Sequence, residues 1–299
     1  MSAIVYRGRF APTPSGPLHL GSLTAALASF LRARRAGGQW LLRIDDLDHE
    51  RCRLEFADEI QRQLEVHGLH WDEAPRRQSQ HVAAYESAYQ QLRGLGLLYP
   101  CSCTRARLAR ESRSGPDGPV YSGICRNNAA TGERLAWRLR VAPGTVALDD
   151  PWQGRLSRDL EREVGDFIVR RADGSVGYQL ACVVDEAEMA ITEVVRGADL
   201  IGSSLRQLHL QRLLNLRTPA YRHLPVLKDA AGRKLSKQNH APAIDSRRAA
   251  ENLREALRCL GQSVPAELAG SGAAEALAWA LEHWNDAAVA GWPSTQALA

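Results

Sequence analysis

The feature that most restricts the fold is a proline- and glycine-rich turn between a short extended run and an amphipathic helix. Residues 9–22 read RFAPTPSGPLHLGS, with three prolines that fix φ and two glycines that let a ligand approach the backbone. The apolar residues that follow recur at the spacing of one buried helix face: Leu23, Leu27, Phe30 and Leu31. Gly37 and Gly38 supply a stop. A strand from Ile4 to Phe10, the turn and the helix thus predict the start of a βαβ unit.

A second strand completes this unit. Trp40 to Ile44 is an apolar run that ends in a group of carboxylates. Ligands of open parallel sheets bind beyond the carboxyl ends of the strands, where both the proline turn and the acidic group fall. Because adjacent strand residues point to opposite faces, Asp45, Asp46 and Asp48 do not all converge on a metal. We expect one of them to contact a ligand and two to have structural roles.

The helix N-terminus after the turn is a candidate phosphate site. Free N–H groups and the positive end of the helix dipole favour anions there, so His19 and the backbone near Gly21 could hold a polyphosphate. Proline turns before helices are also common, and a single histidine is usually only a turn residue. On this segment alone, a nucleotide site and an ordinary turn are about equally favoured.

Length and composition predict a globular protein with two or three lobes. The chain has 299 residues, 44% of them hydrophobic and 24% charged. No apolar run is long enough to cross a membrane and no signal sequence opens the chain, so we expect a cytoplasmic protein. In that compartment the six cysteines favour free thiols or a metal over a disulfide framework.

The middle of the chain interrupts the α/β pattern. Helices are predicted at about 55–66 and 81–92, and residues 100–150 then form short pieces punctuated by glycine and proline. Between residues 101 and 140 there are eight arginines against three acidic residues. This excess of positive charge slightly favours a nucleic-acid partner over an ordinary solvated surface.

Three cysteines in this middle segment form a candidate metal site. Cys101, Cys103 and Cys125 lie where a structural zinc ion would compensate for a small core. The residues alone leave the fourth ligand open between Tyr121 and a distant histidine. Reduced cysteines without a metal are the alternative, and spacing and compartment favour zinc by about two to one.

The α/β pattern returns after residue 164. Extended segments are predicted for residues 165–170, 178–185, 191–196 and 223–227. A helix is predicted after Ser203 or Ser204, either of which can cap it, because leucines follow at helical spacing. From about residue 246 the composition indicates a small helical appendix.

A basic loop follows the last extended segment. Lys234 and Lys237 flank Ser236 and could bring positive charge to a phosphate chain as charge develops in a transition state. A basic surface turn is the simpler interpretation of this loop alone.

Together, the proline turn and the basic loop resemble the two signature motifs of class I aminoacyl-tRNA synthetases. The first is matched by His19-Leu20-Gly21-Ser22 and the second by Lys234-Leu235-Ser236-Lys237-Gln238. Other blocks within the first 245 residues are similar to the glutamyl branch: Arg9 to Gly16, Arg43 to Asp48, Tyr178 to Asp185 and Val195 to Gly197. The resemblance implies an α/β fold with a Rossmann-type parallel sheet, interrupted by a zinc-containing insert and followed by a small helical appendix.

This resemblance divides the chain into four segments. We expect the first half of the catalytic domain at 1–99, the insert at 100–164, the second half with the lysine loop at 165–245, and the appendix at 246–299. A full glutamyl-tRNA synthetase continues much further into an anticodon-binding domain. The shorter form is similar to the glutamyl-Q tRNA(Asp) synthetases, which activate glutamate without tRNA and attach it to queuosine in the tRNA(Asp) anticodon loop.

The resemblance also implies the site residues. ATP, with Mg²⁺, would be bound by His19, Gly21, Ser22, Lys234, Ser236 and Lys237, of which His19 and Lys237 would be catalytic. Glutamate would be bound by Arg9, Phe10, Ala11, Pro12, Thr13, Asp45, Tyr178 and Arg196. One Zn²⁺ would be held by Cys101, Cys103, Tyr121 and Cys125.

Arg196 is the residue expected to choose the amino acid. A guanidinium matches the γ-carboxylate of glutamate with two hydrogen bonds, whereas the amide of glutamine would place N–H donors against N–H donors. Asp45 departs from the pattern, because glutamate enzymes usually have glutamate there and glutamine enzymes aspartate. We interpret Asp45 as a contact to the substrate ammonium, one methylene shorter with the charge unchanged.

We therefore expect a monomeric enzyme that binds ATP, L-glutamate and the anticodon stem-loop of tRNA(Asp), with no membrane partner. Two other functions stay open at this point. One is ordinary glutamylation of a tRNA 3′ end, and the other is a catalytically inactive synthetase-like protein that binds RNA. The presence of His19, Gly21, Lys234 and Lys237 weighs against the inactive protein.

Overall fold

A computed structural model of the chain describes residues 5–128, 130–226 and 242–290. It contains the predicted βαβ unit, formed by β1 (Arg7–Phe10), α1 (Leu20–Arg35) and β2 (Gln39–Ile44). β1 and β2 pair in parallel, with Arg7 opposite Gln39 and Phe10 opposite Leu42. This confirms the predicted order, while Ile4, where the first strand was expected to start, lies outside the described residues.

The helix α1 is the centre of the first hydrophobic core. Its predicted apolar face is buried, and the core includes residues from β1, β2 and the C-terminal helices described below. Gly38 lies just before β2, at a close approach of two chain segments. A methyl group on its Cα would lie 2.3 Å from the Tyr6 carbonyl oxygen, so the turn accepts no side chain there.

Two more helices follow as predicted: α2 (Leu54–Val66) and α3 (Val82–Gly94). Between them, β3 (Arg76–Arg77) extends the sheet by pairing in parallel with β2. The sheet order is therefore β1-β2-β3.

In its described residues, the middle segment contains antiparallel strands, one short α-helix and a π-helical turn at Leu160–Val164. Its elements, in order, are β4 (Leu98–Cys101), α4 (Arg105–Glu111), β5 (Ala136–Leu139), β6 (Thr145–Asp150) and β7 (Gly154–Asp159). β6 and β7 form a two-stranded hairpin. β4 and β5 form a sheet with β8 (Phe167–Arg170), a strand beyond residue 164. The middle segment therefore shares a sheet with the segment that follows it.

The next elements return to parallel pairing. They are α5 (Tyr178–Glu188), β9 (Glu193–Gly197), α6 (Ile201–Leu213) and β10 (Ala220–Leu224). β9 and β10 pair in parallel, with His223 opposite Arg196. β9 starts beside β1, because the Thr192 N–H donates to the Arg7 carbonyl oxygen over 2.9 Å. The carboxyl ends of β1 and β9 therefore lie next to each other.

Two local predictions for this region are wrong. Residues 178–185, predicted as extended, form α5, in which every residue from Leu180 to Glu186 is buried. A fully buried apolar run has no periodicity that distinguishes a strand from a helix. Ser203 and Ser204 do not cap α6, because the helix already starts at Ile201 and the Ser204 side chain has other partners.

The C-terminal segment is helical over its described residues, 246–290, while residues 291–299 of the predicted appendix lie outside that range. It consists of α7 (Ala249–Cys259), α8 (Ala273–His283) and α9 (Asp286–Ala290). Residues of α7 and α8 join the hydrophobic core around α1, which ties the appendix to the first βαβ unit. Among the helices of the described ranges, none has both the length and the apolar character needed to span a bilayer.

Candidate active site

A cavity of about 320 Å³ lies at the carboxyl ends of β1 and β9, against the N-terminus of α1. It is where an open parallel sheet binds its ligands. The structure brings ten of the predicted site residues to its wall: Arg9, Phe10, Ala11, Pro12, Thr13, His19, Gly21, Ser22, Tyr178 and Arg196.

The other predicted residues for ATP and glutamate are not at this wall. Lys234, Ser236 and Lys237 lie outside the described residues. Asp45 lines a second cavity, which adjoins the first through Thr13 and Tyr178. Tyr178, which is 40% exposed, contributes to the walls of both cavities.

His19 and Ser22 cap the N-terminus of α1 reciprocally. The His19 Nδ1 accepts the Ser22 backbone N–H over 3.2 Å, and the Ser22 hydroxyl oxygen accepts the His19 backbone N–H over 2.8 Å. Because Nδ1 is an acceptor, Nε2 carries the hydrogen in the neutral ring. The first turn of α1 has no acidic residue, so the positive end of its dipole faces the cavity without an internal counter-charge from that turn.

A buried ionic network lies beneath the cavity. Arg9 donates to Glu186 over 3.0 Å, and Arg43 donates to both carboxylate oxygens of Asp45 over 2.6 and 3.1 Å. Burial raises the pKa of the Asp45 carboxyl, and the adjacent Arg43 guanidinium opposes that rise. Both oxygens of Asp45 already accept hydrogen bonds, so an ammonium contact would use their remaining lone pairs.

Arg196 projects from β9 into the wall of the cavity and is only 6% exposed. Its Nε and Nη2 donate to the Ser204 hydroxyl over 3.1 and 2.6 Å, and Nη2 also donates to Gln207 over 2.7 Å. The Tyr221 ring packs against the guanidinium, 5.4 Å from Cζ to the ring centroid. All three neighbours are neutral, and Arg196 forms no ion pair within the described part of the chain.

Sequence reasoning missed the residues that surround Arg196. On α6, Ser204, Gln207 and Gln211 recur at the i, i+3, i+7 spacing of one helix face and are fully buried or nearly so. A polar stripe at helical spacing among leucines is a signal that could have found them. No comparable signal marks His223 on β10 or Asp150 on β6, which contact each other across 73 positions of sequence.

The three cysteines predicted to bind zinc form one cluster. The Sγ atoms of Cys101, Cys103 and Cys125 all lie within 4.8 Å of one another, and the Cys103 and Cys125 sulfurs are 3.6 Å apart. Four tetrahedral thiolates at the usual zinc–sulfur bond length would be about 3.8 Å apart. All six cysteines of the chain are free thiols.

The Tyr121 hydroxyl oxygen lies beside this cluster, 3.6 Å from the Cys101 sulfur and 3.5 Å from the Cys103 sulfur. The Cys125 backbone N–H donates to the same oxygen over 2.9 Å, and the Arg138 guanidinium stacks on the Tyr121 ring at 3.8 Å. Burial raises the pKa of the Tyr121 hydroxyl and the hydrogen bond from the Cys125 N–H opposes that rise, so a phenolate here would need a bound metal ion. The donor set, three sulfurs and one oxygen, therefore fits a structural zinc ion.

The comparisons with known proteins agree with this geometry. A family model described as "tRNA synthetases class I (E and Q), catalytic domain" matches residues 6–262. Among curated relatives, the Glutamyl-Q tRNA(Asp) synthetase of Thiobacillus denitrificans is 52% identical over 279 residues, which is 93% of each chain. That of Dechloromonas aromatica is 49% identical over 287 residues, which is 95% of each chain.

Solved structures share the fold. Glutamate-tRNA synthetase from Elizabethkingia anophelis superposes with a TM-score of 0.74 at 24% identity, over 92% of this chain. The match spans 65% of the length of that longer protein. The chain therefore belongs to the class I tRNA synthetases, in the glutamyl-Q tRNA(Asp) synthetase family, and is an enzyme of the ligase type.

Proposed function

We propose that the chain activates L-glutamate with ATP, without tRNA, and transfers the glutamyl group to the queuosine base in the anticodon loop of tRNA(Asp). The names of the relatives at 52% and 49% identity support the acceptor. The observation that carries the choice of glutamate is Arg196, a buried cation among neutral partners at the wall of the cavity.

The side-chain carboxylate of glutamate supplies the negatively charged partner that Arg196 lacks among the described residues. Two hydrogen atoms of the guanidinium, those on Nη1, form no hydrogen bond among the described residues. They can donate to a carboxylate, whereas the amide of glutamine would offer N–H groups to the same donors. In this arrangement Arg9, Phe10, Ala11, Pro12, Thr13 and Tyr178 surround the rest of the amino acid, and Asp45 contacts its ammonium group from the adjoining cavity.

Activation takes place in the part of the cavity next to the N-terminus of α1. An oxygen of the glutamate α-carboxylate attacks the α-phosphorus of ATP, the bond to the bridging oxygen breaks, and pyrophosphate leaves. His19, Gly21 and Ser22 at the start of α1 hold the phosphates, because N–H groups and the helix dipole favour anions there. Lys234, Ser236 and Lys237 complete the ATP site, with Lys237 stabilising charge on the transferred phosphate. Mg²⁺ bound with ATP would neutralise further phosphate charge.

Zinc has a structural role in this proposal. Cys101, Cys103, Tyr121 and Cys125 would hold one ion beside β4, where the described hydrophobic cluster is small. Burial raises the pKa of the Cys103 thiol to about 11, and a bound zinc ion would keep the thiols deprotonated.

The arginine-rich middle segment is the proposed contact to tRNA. Five of its eight arginines are exposed: Arg105, Arg107, Arg110, Arg113 and Arg134. Arg138 is buried beside the cysteines, so not all of the positive charge counted in the sequence reaches the surface. We place the enzyme, as a monomer, in the cytoplasm with its tRNA.

Pyrophosphate exchange tests the activation step. The purified chain should exchange labelled pyrophosphate into ATP with glutamate, not with glutamine, and without added tRNA. Arg196→Ala should raise the KM for glutamate by at least about a hundredfold, since it removes a charge-assisted contact. Arg34→Ala, which removes a surface ion pair with Asp72, is the matched control and should leave KM unchanged. Exchange that strictly requires tRNA would contradict the proposal.

A second experiment separates the acceptors. Labelled glutamate should become attached to tRNA(Asp) that contains queuosine and not to the same tRNA without it. Equal labelling of both tRNAs, with the label at the 3′ end, would instead establish ordinary aminoacylation. Formation of no adenylate and no labelled tRNA would favour an inactive RNA-binding protein.

A further inference from the structure

The side chains behind Arg196 form an unbroken chain of hydrogen bonds that the proposed mechanism does not use. Asp150 Oδ2 lies 2.6 Å from His223 Nδ1, His223 Nε2 lies 2.5 Å from Ser204 Oγ, and Ser204 Oγ lies 2.6 Å from Arg196 Nη2. The exposed fractions of Asp150, His223 and Ser204 are 3%, 0% and 0%. This relay joins four elements, β6, β10, α6 and β9, behind the wall of the cavity.

Asp150 determines the direction of the first hydrogen bond. Its Oδ1 accepts the backbone N–H groups of Trp152 and Gln153, and its Oδ2 accepts the backbone N–H of His223. With three N–H groups already directed at it, the carboxylate is an acceptor toward the His223 ring as well. The hydrogen of the imidazole is therefore on Nδ1.

The direction of the remaining bonds follows from this tautomer. Burial lowers the pKa of His223, the hydrogen bond to Asp150 opposes this shift without cancelling it, and the nearby Arg196 charge lowers the pKa further. The ring is therefore neutral and its Nε2 is an acceptor. The Ser204 hydroxyl has two acceptors in reach, His223 Nε2 at 2.5 Å and the Leu200 carbonyl oxygen at 3.2 Å, and it donates its single hydrogen to the much closer Nε2. The lone pairs of its oxygen are then left to accept from Arg196. Both Nε and Nη2 of Arg196 use them.

We infer that Asp150, His223 and Ser204 are positioning residues that fix the orientation of the Arg196 guanidinium and thereby set the preference for one amino acid over its amide. Ser204 and Gln207 hold the Nη2 side of the group, so that Nη1 is presented to the ligand. The effect on substrate choice rests on the proposed function, whereas the effect on the orientation of Arg196 does not.

The order serine, histidine, aspartate also occurs in hydrolases, where the serine is a nucleophile. Ser204 cannot act in that way. It is fully buried, it does not line the cavity, and its oxygen lone pairs accept from a guanidinium instead of facing a substrate. The relay therefore acts through Arg196.

The first test measures Arg196 in the free protein, without any substrate. Side-chain ¹⁵N NMR should show a guanidinium with restricted rotation and slow hydrogen exchange in the wild type. Ser204→Ala removes the acceptor, and Asp150→Asn reverses the donor and acceptor order along the relay. Each should increase the hydrogen exchange of Arg196 Nε by about tenfold or more. Imidazole ¹⁵N shifts should show Nδ1 protonated in the wild type.

The second test measures selectivity by pyrophosphate exchange. Both variants should raise the KM for glutamate about tenfold with a smaller change in kcat, and should lower the ratio of kcat/KM for glutamate over glutamine to a similar extent. Tyr99→Phe is the control, because it also removes a buried hydroxyl, here one that donates to Asp166 over 2.6 Å beside the cysteine cluster. It should lower Tm without changing the ratio.

The two tests fail independently of each other. If Arg196 is equally restricted in the wild type and in both variants, the relay does not position it and the inference is wrong, whatever the substrate. If the variants release Arg196 but the wild type activates no glutamate, the positioning role stands and the proposed function falls. If one variant does not fold, the hydrogen exchange of Arg196 in the other variant and the tautomer of His223 in the wild type still test the inference.

Discussion

At the scale of single residues, Tyr121 is either the fourth ligand of a zinc ion or a core residue beside three thiols. Its hydroxyl lies within 3.6 Å of the Cys101 and Cys103 sulfurs, which is the position expected of a fourth zinc ligand. We expect about one zinc ion per chain in protein purified without chelators. Cys103→Ser should abolish zinc binding, and Tyr121→Phe should weaken it at least tenfold, as measured by chelator competition and elemental analysis.

Cys52→Ser is the control for this prediction, because Cys52 is a partly buried thiol remote from the cluster in the chain. Its zinc content should equal that of the wild type. A Tyr121→Phe protein with unchanged zinc affinity would exclude the phenolate as a ligand. The fourth zinc ligand would then be a different group.

At the scale of elements, the turn between α1 and β2 has a sharp steric requirement. In Gly38→Ala, the new methyl group would lie 2.3 Å from the Tyr6 carbonyl oxygen, so the backbone at the edge of β1 must move. Overpacking of this kind costs about 1–3 kcal/mol in the free energy of unfolding. Denaturation by urea should show a lower midpoint with an unchanged slope.

Gly94→Ala is the matched control for this turn. Gly94 ends α3, and a methyl group there would have no atom within 4 Å. Alanine should stabilise this helix by up to about 1 kcal/mol, because glycine has the greater conformational entropy in the unfolded chain. Equal destabilisation of both variants would contradict the steric account of Gly38.

The elements also show what local sequence can predict. Amphipathic α1 and the short strand β2 were predicted correctly, because one has a clear 3.6-residue period and the other lies between a glycine stop and an acidic end. α5 was not, because its residues from Leu180 to Glu186 are all buried, and a short apolar run of this kind is compatible with either a strand or a helix. Ser204 looked like a cap because serine usually has that role, whereas here it faces the interior of the protein.

At the scale of the whole molecule, the exposed arginines of the middle segment form a positively charged surface outside the cavity. Arg105 and Arg110 lie on α4 and are exposed, and neither lines the cavity. The double charge reversal Arg105→Glu with Arg110→Glu should raise the KM for tRNA about tenfold and weaken its salt dependence, since phosphate contacts are lost. Pyrophosphate exchange with glutamate should stay unchanged.

Arg62→Glu on α2 is the control for this charge reversal, since Arg62 is also exposed but lies outside the middle segment. It should leave both reactions unchanged. Equal loss of transfer in both proteins would indicate a general effect of net charge, and unchanged transfer in the double variant would exclude α4 from the tRNA contact.

The candidate site could be predicted from the sequence only where ordered motifs mark it. The turn from Arg9 to Ser22 and the Tyr178 and Arg196 blocks do converge on one cavity. The support behind Arg196 could not be predicted, because Asp150 ends a strand of the middle segment and His223 lies in a strand of the second half. Such pairs meet only through tertiary packing, which leaves no local period or spacing.

The position of Asp150 has a consequence for local unfolding. The β6–β7 hairpin shares no strand ladder with other strands in the described structure and is held to the rest of the molecule by buried side chains such as Val146, Leu148 and Trp152. Each opening of the hairpin withdraws the acceptor from His223 and so loosens Arg196. By thermodynamic linkage, a ligand that binds the ordered guanidinium must oppose this opening. Occupation of the cavity should therefore slow amide hydrogen exchange and proteolysis in a hairpin that the ligand never touches.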